Sequence, residues 1–161
     1  MTKIHTGYLP GTIGRVAELH GRYYAAHWHF GVFFEARVAK ELSDFMMRYD
    51  AERDCFWAIM QSGRLEGSLT IDGIHAADKG AHLRWFIMSD ALRGQGFGNR
   101  LIQEAITFCR HKQYPRIYLH TFAGLNAARR LYEKAGFTLI HEEAGQQWGT
   151  EVTEQTFVLE L

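Results

Sequence analysis

The sequence predicts an α+β fold in which a mixed, mostly antiparallel central sheet carries helices on both faces. Two observations predict it. Two amphipathic helical patterns come first, three strand patterns follow, and helices and strands then alternate, in the order ααβββαβαββ. The chain has 161 residues, the length of one domain, and no linker, repeat or low-complexity segment divides it. A single domain is therefore expected over residues 1–161.

The first two elements are predicted to be helices because apolar residues recur at helical spacing. Residues 12–27 form the first, with Thr12 as its candidate N-cap. Residues 32–49 form the second. The apolar positions of the two helices are Val16, Leu19 and Tyr23 in the first and Phe34, Val38, Leu42, Phe45 and Met46 in the second.

Strand patterns follow these helices. Residues 55–60 and 64–72 are predicted to pair as a hairpin across the turn Gln61-Ser62-Gly63, and residues 81–88 form the next strand. A glycine-rich stretch comes next, and residues 98–111 return to helical spacing.

The last third alternates. Residues 116–122 are a predicted strand, residues 127–136 a helix that Gly136 ends, and residues 137–143 and 153–161 the final strands. The last of these could form an edge of the sheet that pairs with a second copy of the chain. A homodimer is expected on that ground alone.

Composition narrows the function. Lys+Arg and Asp+Glu are equal at 18 each, so there is no global basic field, which argues against nucleic-acid binding through phosphates. No apolar run reaches the ~18 residues of a membrane span, and the first residues do not form the apolar region of a secretory signal. Cys55 and Cys109 each sit in an apolar pattern, as buried reduced thiols do, so a cytoplasmic setting is expected. The nine histidines form no HxxxH or HExxH pair, so no metal site is predicted.

The stretch Arg93-Gly94-Gln95-Gly96-Phe97-Gly98 lies between a predicted strand and a predicted helix. Glycine allows positive φ and removes side chains from the approach to the backbone. A helix start offers free N–H groups and the positive end of the helix dipole. Together these features predict a cradle for an anion, to which Arg93 adds a positive charge.

Three kinds of phosphate loop compete for this stretch, beside a glycine-rich turn that binds nothing. A Walker loop needs Gly-Lys-Ser/Thr, which is absent. The dinucleotide fingerprint is GxGxxG with an acidic residue ~20 positions on, whereas this loop is GxGxG without that residue. The third pattern, [Q/R]-x-x-G-x-[G/A], fits at Arg93, Gly96 and Gly98. In this pattern the sequence resembles the pyrophosphate loop of acetyl-CoA-dependent N-acetyltransferases.

A second motif supports the same resemblance. The stretch NAARRLYEKAGFTLI, residues 126–140, resembles the later signature of the GNAT superfamily, an Ala-rich helix that carries Tyr132 and turns at Gly136-Phe137 into a strand. The resemblance covers residues 55–161. Residues 18–45 are similar to something narrower, the acetyltransferase half of proteins in which a GNAT domain is fused to a MarR-type DNA-binding domain. The DNA-binding half is not part of this chain, so gene regulation is not carried over.

The resemblance implies how acetyl-CoA is bound. In the GNAT fold a strand splays from its neighbour at a bulge, and the pantetheine arm pairs with the exposed backbone. Asn126 stands six residues before Tyr132, whereas the common pattern has Asn seven before. The residues that the resemblance places at the cofactor are Phe86, Ile87 and Met88 on the splayed strand, Arg93, Gly94, Gln95, Gly96, Phe97, Gly98 and Asn99 at the loop, and Asn126 and Arg129 on the later helix.

The resemblance also implies the chemistry, a direct attack of an amine on the thioester in a ternary complex. The backbone N–H of Met88 would stabilise the oxyanion, and Tyr132 would protonate the leaving thiolate. The base that many family members carry before the glycine loop is absent, which leaves Glu35 and His120 as candidates. A binding module that senses an acyl-CoA without turnover is the alternative function.

The acceptor is expected to be an amine of a small molecule or a peptide. Residues 22–34 are dense in aromatic side chains, which favour a cationic amine or simply form core. Phe33 or Phe34 is assigned to the core, and Tyr24, Trp28 and His29 are the candidate acceptor-binding residues.

Overall fold

A computed structural model describes residues 1–161, which form one seven-stranded sheet with two helices on each face. The elements are β1 (Thr2–Thr6), α1 (Thr12–Trp28), α2 (Val32–Met47), β2 (Cys55–Gln61), β3 (Arg64–Asp72), β4 (Ala81–Met88), α3 (Phe97–His111), β5 (Arg116–Phe122), α4 (Asn126–Ala135), β6 (Thr138–Gly145) and β7 (Val152–Glu160). A single 3-10 turn, Asp90–Leu92, follows β4.

The strands lie in the order β1-β2-β3-β4-β5-β7-β6, and every neighbouring pair is antiparallel except β4 and β5. The predicted α+β class and the mixed, mostly antiparallel sheet are therefore confirmed. The predicted hairpin is confirmed as well, because Ser62 and Gly63 both take positive φ, as a two-residue turn between twisted strands requires.

Two apolar layers hold the sheet between its helices. One lies under α3 and α4 and includes Leu101 and Ile102, and the other lies under α1 and α2 and includes Phe34 and Phe45. Full burial of such a side chain contributes roughly 1.5–3 kcal/mol. Both cysteines are buried and unpaired, as expected, and burial raises the pKa of each thiol to about 12.

The start of the chain differs from the prediction. β1 was not predicted, because TKIHT is short, carries little apolar pattern and is held by pairing with the distant β2 rather than by local preference. The N-cap of α1 is Gly11 with φ 89°, and Thr12 is buried in the first turn of the helix. The predicted cap at Thr12 was therefore wrong by one residue.

The last strand is not an edge. β7 lies between β5 and β6, antiparallel to both, and the edges of the sheet are β1 and β6. The prediction of an edge was wrong because the order of strands along the chain does not give their order in space. The argument for a homodimer from a free edge at β7 therefore no longer holds, and the homodimer stays a prediction.

No helix is both long enough and apolar enough to cross a membrane.

Candidate active site

A gap between β4 and β5 is the centre of the candidate site. The two strands pair only at Ala81–Ile117 and His82–Tyr118 and then separate. The register between β3 and β4 shifts just beyond this point, and Trp85 takes φ 48° there, which marks a bulge. The splayed strand that the resemblance implied is therefore present at Phe86–Met88.

The backbone of Met88 faces this gap. Ser89 donates its N–H to the carbonyl of the opposite residue, Glu66, at 2.7 Å, which makes this a hydrogen-bonded pair of the ladder. Such pairs alternate along an antiparallel ladder, so the next pair, Gly67 and Met88, is non-hydrogen-bonded. The N–H and C=O of Met88 consequently turn away from β3 and toward the gap.

The glycine loop presents free backbone donors to the same cavity. Gly94 and Gly96 take φ 74° and 78°, and Gly96 is the N-cap of α3. Every backbone N–H from Gly94 through Asn99 lacks an acceptor within the protein. The first turn of α3 contains no acidic side chain, so an anion would meet no fixed negative charge on that turn.

The loop also fits an extended ligand sterically. A Cβ at Gly94 or Gly96 would stand in open space, so positive φ is what these positions require of glycine. A Cβ at Gly98 would lie 2.9 Å from Leu131 Cδ1 and 3.4 Å from Phe86 Cζ, so there glycine permits α3 to approach its neighbours closely.

The other predicted cofactor residues divide into two groups. The cavity is lined by Arg93, Gly94, Gly96, Phe97, Gly98, Asn99, Asn126 and the segment Phe86–Met88. Gln95 and Arg129 do not line it. The side chain of Gln95 donates to the carbonyl of Ala91, and the guanidinium of Arg129 lies over the ring of Phe157. The cavity instead receives Arg130, the next residue of α4.

Tyr132 lies below the splayed strand, 6% exposed, among Phe86, Phe137 and Phe157. Its hydroxyl has no hydrogen-bond partner in the protein. The oxygen is nevertheless not fully buried, and since Tyr132 lines the cavity, the hydroxyl opens into it. Burial raises the pKa of Tyr132, and the neighbouring Tyr24 adds to the rise. The phenol therefore keeps its proton at neutral pH, as a general acid must.

Of the two candidate bases, the structure brings only His120 into the cavity. Its Nδ1 lies 3.1 Å from Thr156 Oγ1, which orients the ring. Desolvation lowers the pKa of His120, and the charge of Arg84 lowers it further, so the ring is neutral at pH 7 and able to accept a proton. Glu35 is exposed on α2, with its carboxylate beside Gly21 of α1, and does not line the cavity.

The aromatic residues of segment 22–34, which spans the end of α1 and the start of α2, contribute less to the cavity than the composition of the segment suggested. Tyr24 lines the cavity, but Trp28 does not and packs against Phe122, with ring centroids 4.9 Å apart. His29 ends α1 with φ 57° and is exposed outside the cavity. Of Phe33 and Phe34, one of which was expected in the core, Phe34 is buried and Phe33 is 58% exposed.

Several cavity residues were missed by sequence reasoning. His20 lines the wall beside Tyr24, and its Nδ1 lies 2.8 Å from the carbonyl of Val16. A carbonyl can only accept, so Nδ1 carries the proton and Nε2 is left as an acceptor. Burial lowers the pKa of His20 to about 4.

A charged group was also missed. Arg37 and Glu41 of α2 and Arg84 of β4 line the cavity with His120, close enough that the charges of Arg84 and Arg37 lower the pKa of that histidine. The helical spacing of Arg37 and Glu41 was a visible signal, since residues four apart share a helix face. No pattern in the sequence predicted that Arg84 would lie beside Arg37 and Glu41.

The whole cavity has a volume of about 790 Å³, large enough for a nucleotide-derived cofactor arm with a second small molecule. It joins an anion cradle, a free strand edge, a protonated phenol and a neutral imidazole. No group of three or more side chains with metal-binding spacing occurs in the chain.

The sequence matches a family model over residues 15–137, and the family is described as the acetyltransferase (GNAT) family. Curated relatives named N-acetylaspartate synthetase, from Xenopus tropicalis and Homo sapiens, are 28% and 26% identical to it over 117 residues. The matches cover 72% of this chain but only 43% and 38% of those proteins, so the chain spans less than half of the length of these relatives.

Solved structures share the fold at low identity. An acetyltransferase of the GNAT family from Staphylococcus aureus Mu50 superposes with a TM-score of 0.78 at 15% identity, over 100% of this chain and 99% of that one. The ribosomal-protein-alanine N-acetyltransferase of Brucella melitensis gives 0.73 at 14% identity, over 99% of each chain. A Salmonella typhimurium protein assigned as an acetyltransferase, solved with its cofactor acetyl-CoA, gives 0.72 at 14% identity, over 100% of this chain and 94% of that one. The narrower resemblance to MarR-type fusion proteins stays a prediction.

Proposed function

The chain belongs to the acetyltransferase (GNAT) family, and from this premise we propose that it transfers the acetyl group of acetyl-CoA to an amine. The observation that carries the proposal is the run of unpartnered backbone N–H groups from Gly94 through Asn99, which opens into the same cavity as the splayed strand and Tyr132. The relative from Salmonella typhimurium, solved with acetyl-CoA, supports the choice of cofactor.

The residues present fit this co-substrate. The amides at the start of α3 would hold its pyrophosphate, and Arg93 and Arg130 would supply positive charge nearby. Arg93 is now paired with Asp90 at 2.8 Å on the surface, so it is free to exchange that partner for a phosphate. The backbone of Phe86–Met88 would bind the extended arm as a neighbouring strand does.

Acetyl-CoA would bring the acetyl group as a thioester, which an amine can attack directly. The N–H of Met88 would donate to the oxygen on which negative charge develops. His120 would accept the proton of the amine at Nε2, and Tyr132 would donate from its hydroxyl to the departing sulfur. Cys55 and Cys109 take no part, because both are buried in the core with raised pKa values.

The acceptor is proposed to be a small-molecule amine, with a peptide amine as the alternative. The relatives named N-acetylaspartate synthetase support a small acceptor and place aspartate in the first panel to be tested. A cytoplasmic location and the absence of nucleic-acid and membrane partners stay predictions.

A sensor that binds acyl-CoA without turnover remains the second candidate, because Glu35 lies outside the cavity and β4 carries no carboxylate. Thermal unfolding with acetyl-CoA, CoA, NAD and ATP tests the cofactor first. A ligand at a hundredfold excess over Kd adds about 2.7 kcal/mol of stability, which raises Tm by several degrees. Release of free CoA thiol with a panel of amines then tests turnover. Binding without thiol release across the panel would favour the sensor, and no shift with CoA would exclude both.

A further inference from the structure

The wall of the cavity near His120 contains a charged group that acetyl transfer itself does not need. Glu41 stands between two arginines, with Oε2 2.8 Å from Arg84 and Oε1 3.1 Å from Arg37. All three residues line the cavity. Both oxygens of the Glu41 carboxylate are therefore engaged, and Arg37 also donates to the backbone carbonyl and the side-chain oxygen of Gln147. Of the two arginines, Arg84 keeps more unused donors, its Nε–H among them.

The other carboxylates nearby do not cancel the excess positive charge of the two arginines at the wall. Asp72 is buried outside the cavity lining and is held by two hydrogen bonds from Arg48, at 3.0 and 2.7 Å, before the longer contact of 3.4 Å with Arg84. Glu154 accepts from the backbone N–H and the side-chain amide of Gln147, each at 2.9 Å, and does not line the cavity. No carboxylate at this wall is free to bind a cation.

Arg84 has hydrogen-bond donors that no residue of the protein uses. A guanidinium has five N–H donors, and Arg84 makes one bond from each terminal nitrogen and none from Nε. Its Cζ lies 4.2 Å from the centroid of the Trp85 ring, a contact that restricts its orientation, and its side chain is 19% exposed. A planar, restricted and largely desolvated guanidinium is suited to bind a carboxylate through two parallel hydrogen bonds.

The position of Arg84 suits the acceptor rather than the cofactor. It precedes the bulge, on the side of the cavity that also contains His120, whereas the glycine loop lies beyond Met88.

We infer that the acceptor is an amine that itself carries a carboxylate, and that Arg84, assisted by the charge of Arg37, binds that carboxylate while the amine faces His120. The inference rests on the proposed acetyl transfer and names the substrate class of the same site. A polyamine fits this wall poorly, since the one carboxylate that lines it is already shared by two arginines.

Matched substrates test the inference. Thiol release is measured with aspartate, glutamate and phenylalanine, each beside its α-amide, with asparagine and glutamine for the side-chain carboxylates and spermidine as the polyamine. At least one acid should exceed its matched amide tenfold or more in kcat/KM. Equal rates for acids and amides, or a preference for spermidine, would overturn the inference while leaving acetyl transfer established. Failure of every amine together with no thermal shift from acetyl-CoA would instead remove the proposed function.

Variants assign the binding to the residue. Arg84→Met should raise KM for the preferred acid roughly 10- to 100-fold, because a charged hydrogen-bonded pair is lost, and should abolish the preference over the amide. KM for acetyl-CoA should not change. Arg22→Met is the matched control, since Arg22 is 79% exposed on α1 and outside the cavity.

Because Arg84 also supports Glu41 and Asp72, unfolding of Arg84→Met would move the test to Arg37→Met. The side chain of Arg37 is 33% exposed, and its partners are Glu41 and Gln147. Glu41→Gln should have the opposite effect on KM for the acid. It removes the negative charge that the two arginines share, while Arg37 keeps its bonds to Gln147 and Arg84 its contact with Asp72, and it should lower KM for the acid. Retention of the acid-over-amide ratio in both arginine variants would show that the carboxylate is not bound here and would refute the assignment.

Discussion

Ser89 donates its backbone N–H to the carbonyl of Glu66 at 2.7 Å, and this one bond fixes the direction in which the backbone of Met88 faces. The ladder between β3 and β4 alternates from that point, so the Met88 amide is turned from β3 into the gap where β5 has separated. A free donor on a rigid strand needs no reorganisation when charge develops opposite it. The register of two strands thus places the proposed oxyanion donor.

The first prediction concerns the glycine loop. Gly96→Asp should weaken acetyl-CoA binding more than 100-fold, because like unit charges about 4 Å apart near a protein surface repel by about 4 kcal/mol. Isothermal titration with acetyl-CoA measures the effect. Gly96→Asn is the matched control, since it has nearly the same shape without the charge and both residues tolerate positive φ better than other side chains.

The pair separates charge from strain. A Cβ at Gly96 meets no atom within 4 Å, so both variants should fold and unfold at similar temperatures. Similar affinities in the two variants would mean that no phosphate is bound at this helix start.

Much of the fold could be predicted because its signals are local. The hairpin at Ser62-Gly63, the start of α3 beside Gly96 and the end of α4 at Gly136 all follow from glycine conformation and apolar spacing within a few residues. β1 and the position of β7 could not be predicted, since each is fixed by pairing with strands far away in the sequence.

The candidate site divides in the same way. The loop residues carry their own pattern, whereas the contact of Arg84 with Glu41 joins positions 43 apart, which no local pattern encodes. Arg129 and Arg130 show that sequence reasoning could not decide which of two neighbouring helix residues faces the cavity. Successive residues of a helix point about 100° apart, so a shift of one position decides whether a side chain meets Phe157 or the cavity.

The second prediction concerns the general acid. Tyr132→Phe should lower kcat at least about 100-fold, the lower end of what general acid catalysis contributes. KM for acetyl-CoA and Tm should hardly change, because the hydroxyl has no partner in the protein and the ring packing is kept. Steady-state kinetics with single-turnover controls measure kcat and KM, and thermal unfolding measures Tm. An unchanged kcat would remove Tyr132 from the chemistry.

The third prediction distinguishes the two candidate bases. His120→Gln should lower kcat/KM about 100-fold at pH 7 and remove the fall in rate on its acid side, since the neutral imidazole accepts the proton. That fall should lie below pH ~6.5, because desolvation and Arg84 lower the pKa of His120. pH–rate profiles of both proteins test this.

Glu35→Gln is the companion variant. It should leave the profile unchanged, since Glu35 does not line the cavity. A loss of activity in Glu35→Gln with none in His120→Gln would transfer the role to the carboxylate and require α2 to move.

The fourth prediction concerns stability and pH. Burial lowers the pKa of His20 from its ordinary 6.5 to about 4 in the folded chain, so between these values the unfolded chain binds the extra proton more readily. The contribution of His20 to stability is complete above pH 6.5, falls as the pH falls, and is lost below about pH 4. At 1.36 kcal/mol for each pH unit, this histidine alone should remove about 3 kcal/mol across that window. Urea unfolding at intervals from pH 7.5 to 3.5 measures the loss.

His20→Gln isolates this term from the other histidines, since the pKa values of His82 and His120 are also lowered by burial and those two rings remain in the variant. The variant should be less stable than the native chain at pH 7, because the glutamine loses the stacking of the ring on Tyr24 and its tilted contact with Phe34. Its unfolding free energy should depend less steeply on pH between 6.5 and 4, so the two curves should converge as the pH falls. Parallel curves would show that His20 takes up its proton in the folded state, and the acceptor nitrogen assigned to the cavity wall would then be a donor at acidic pH.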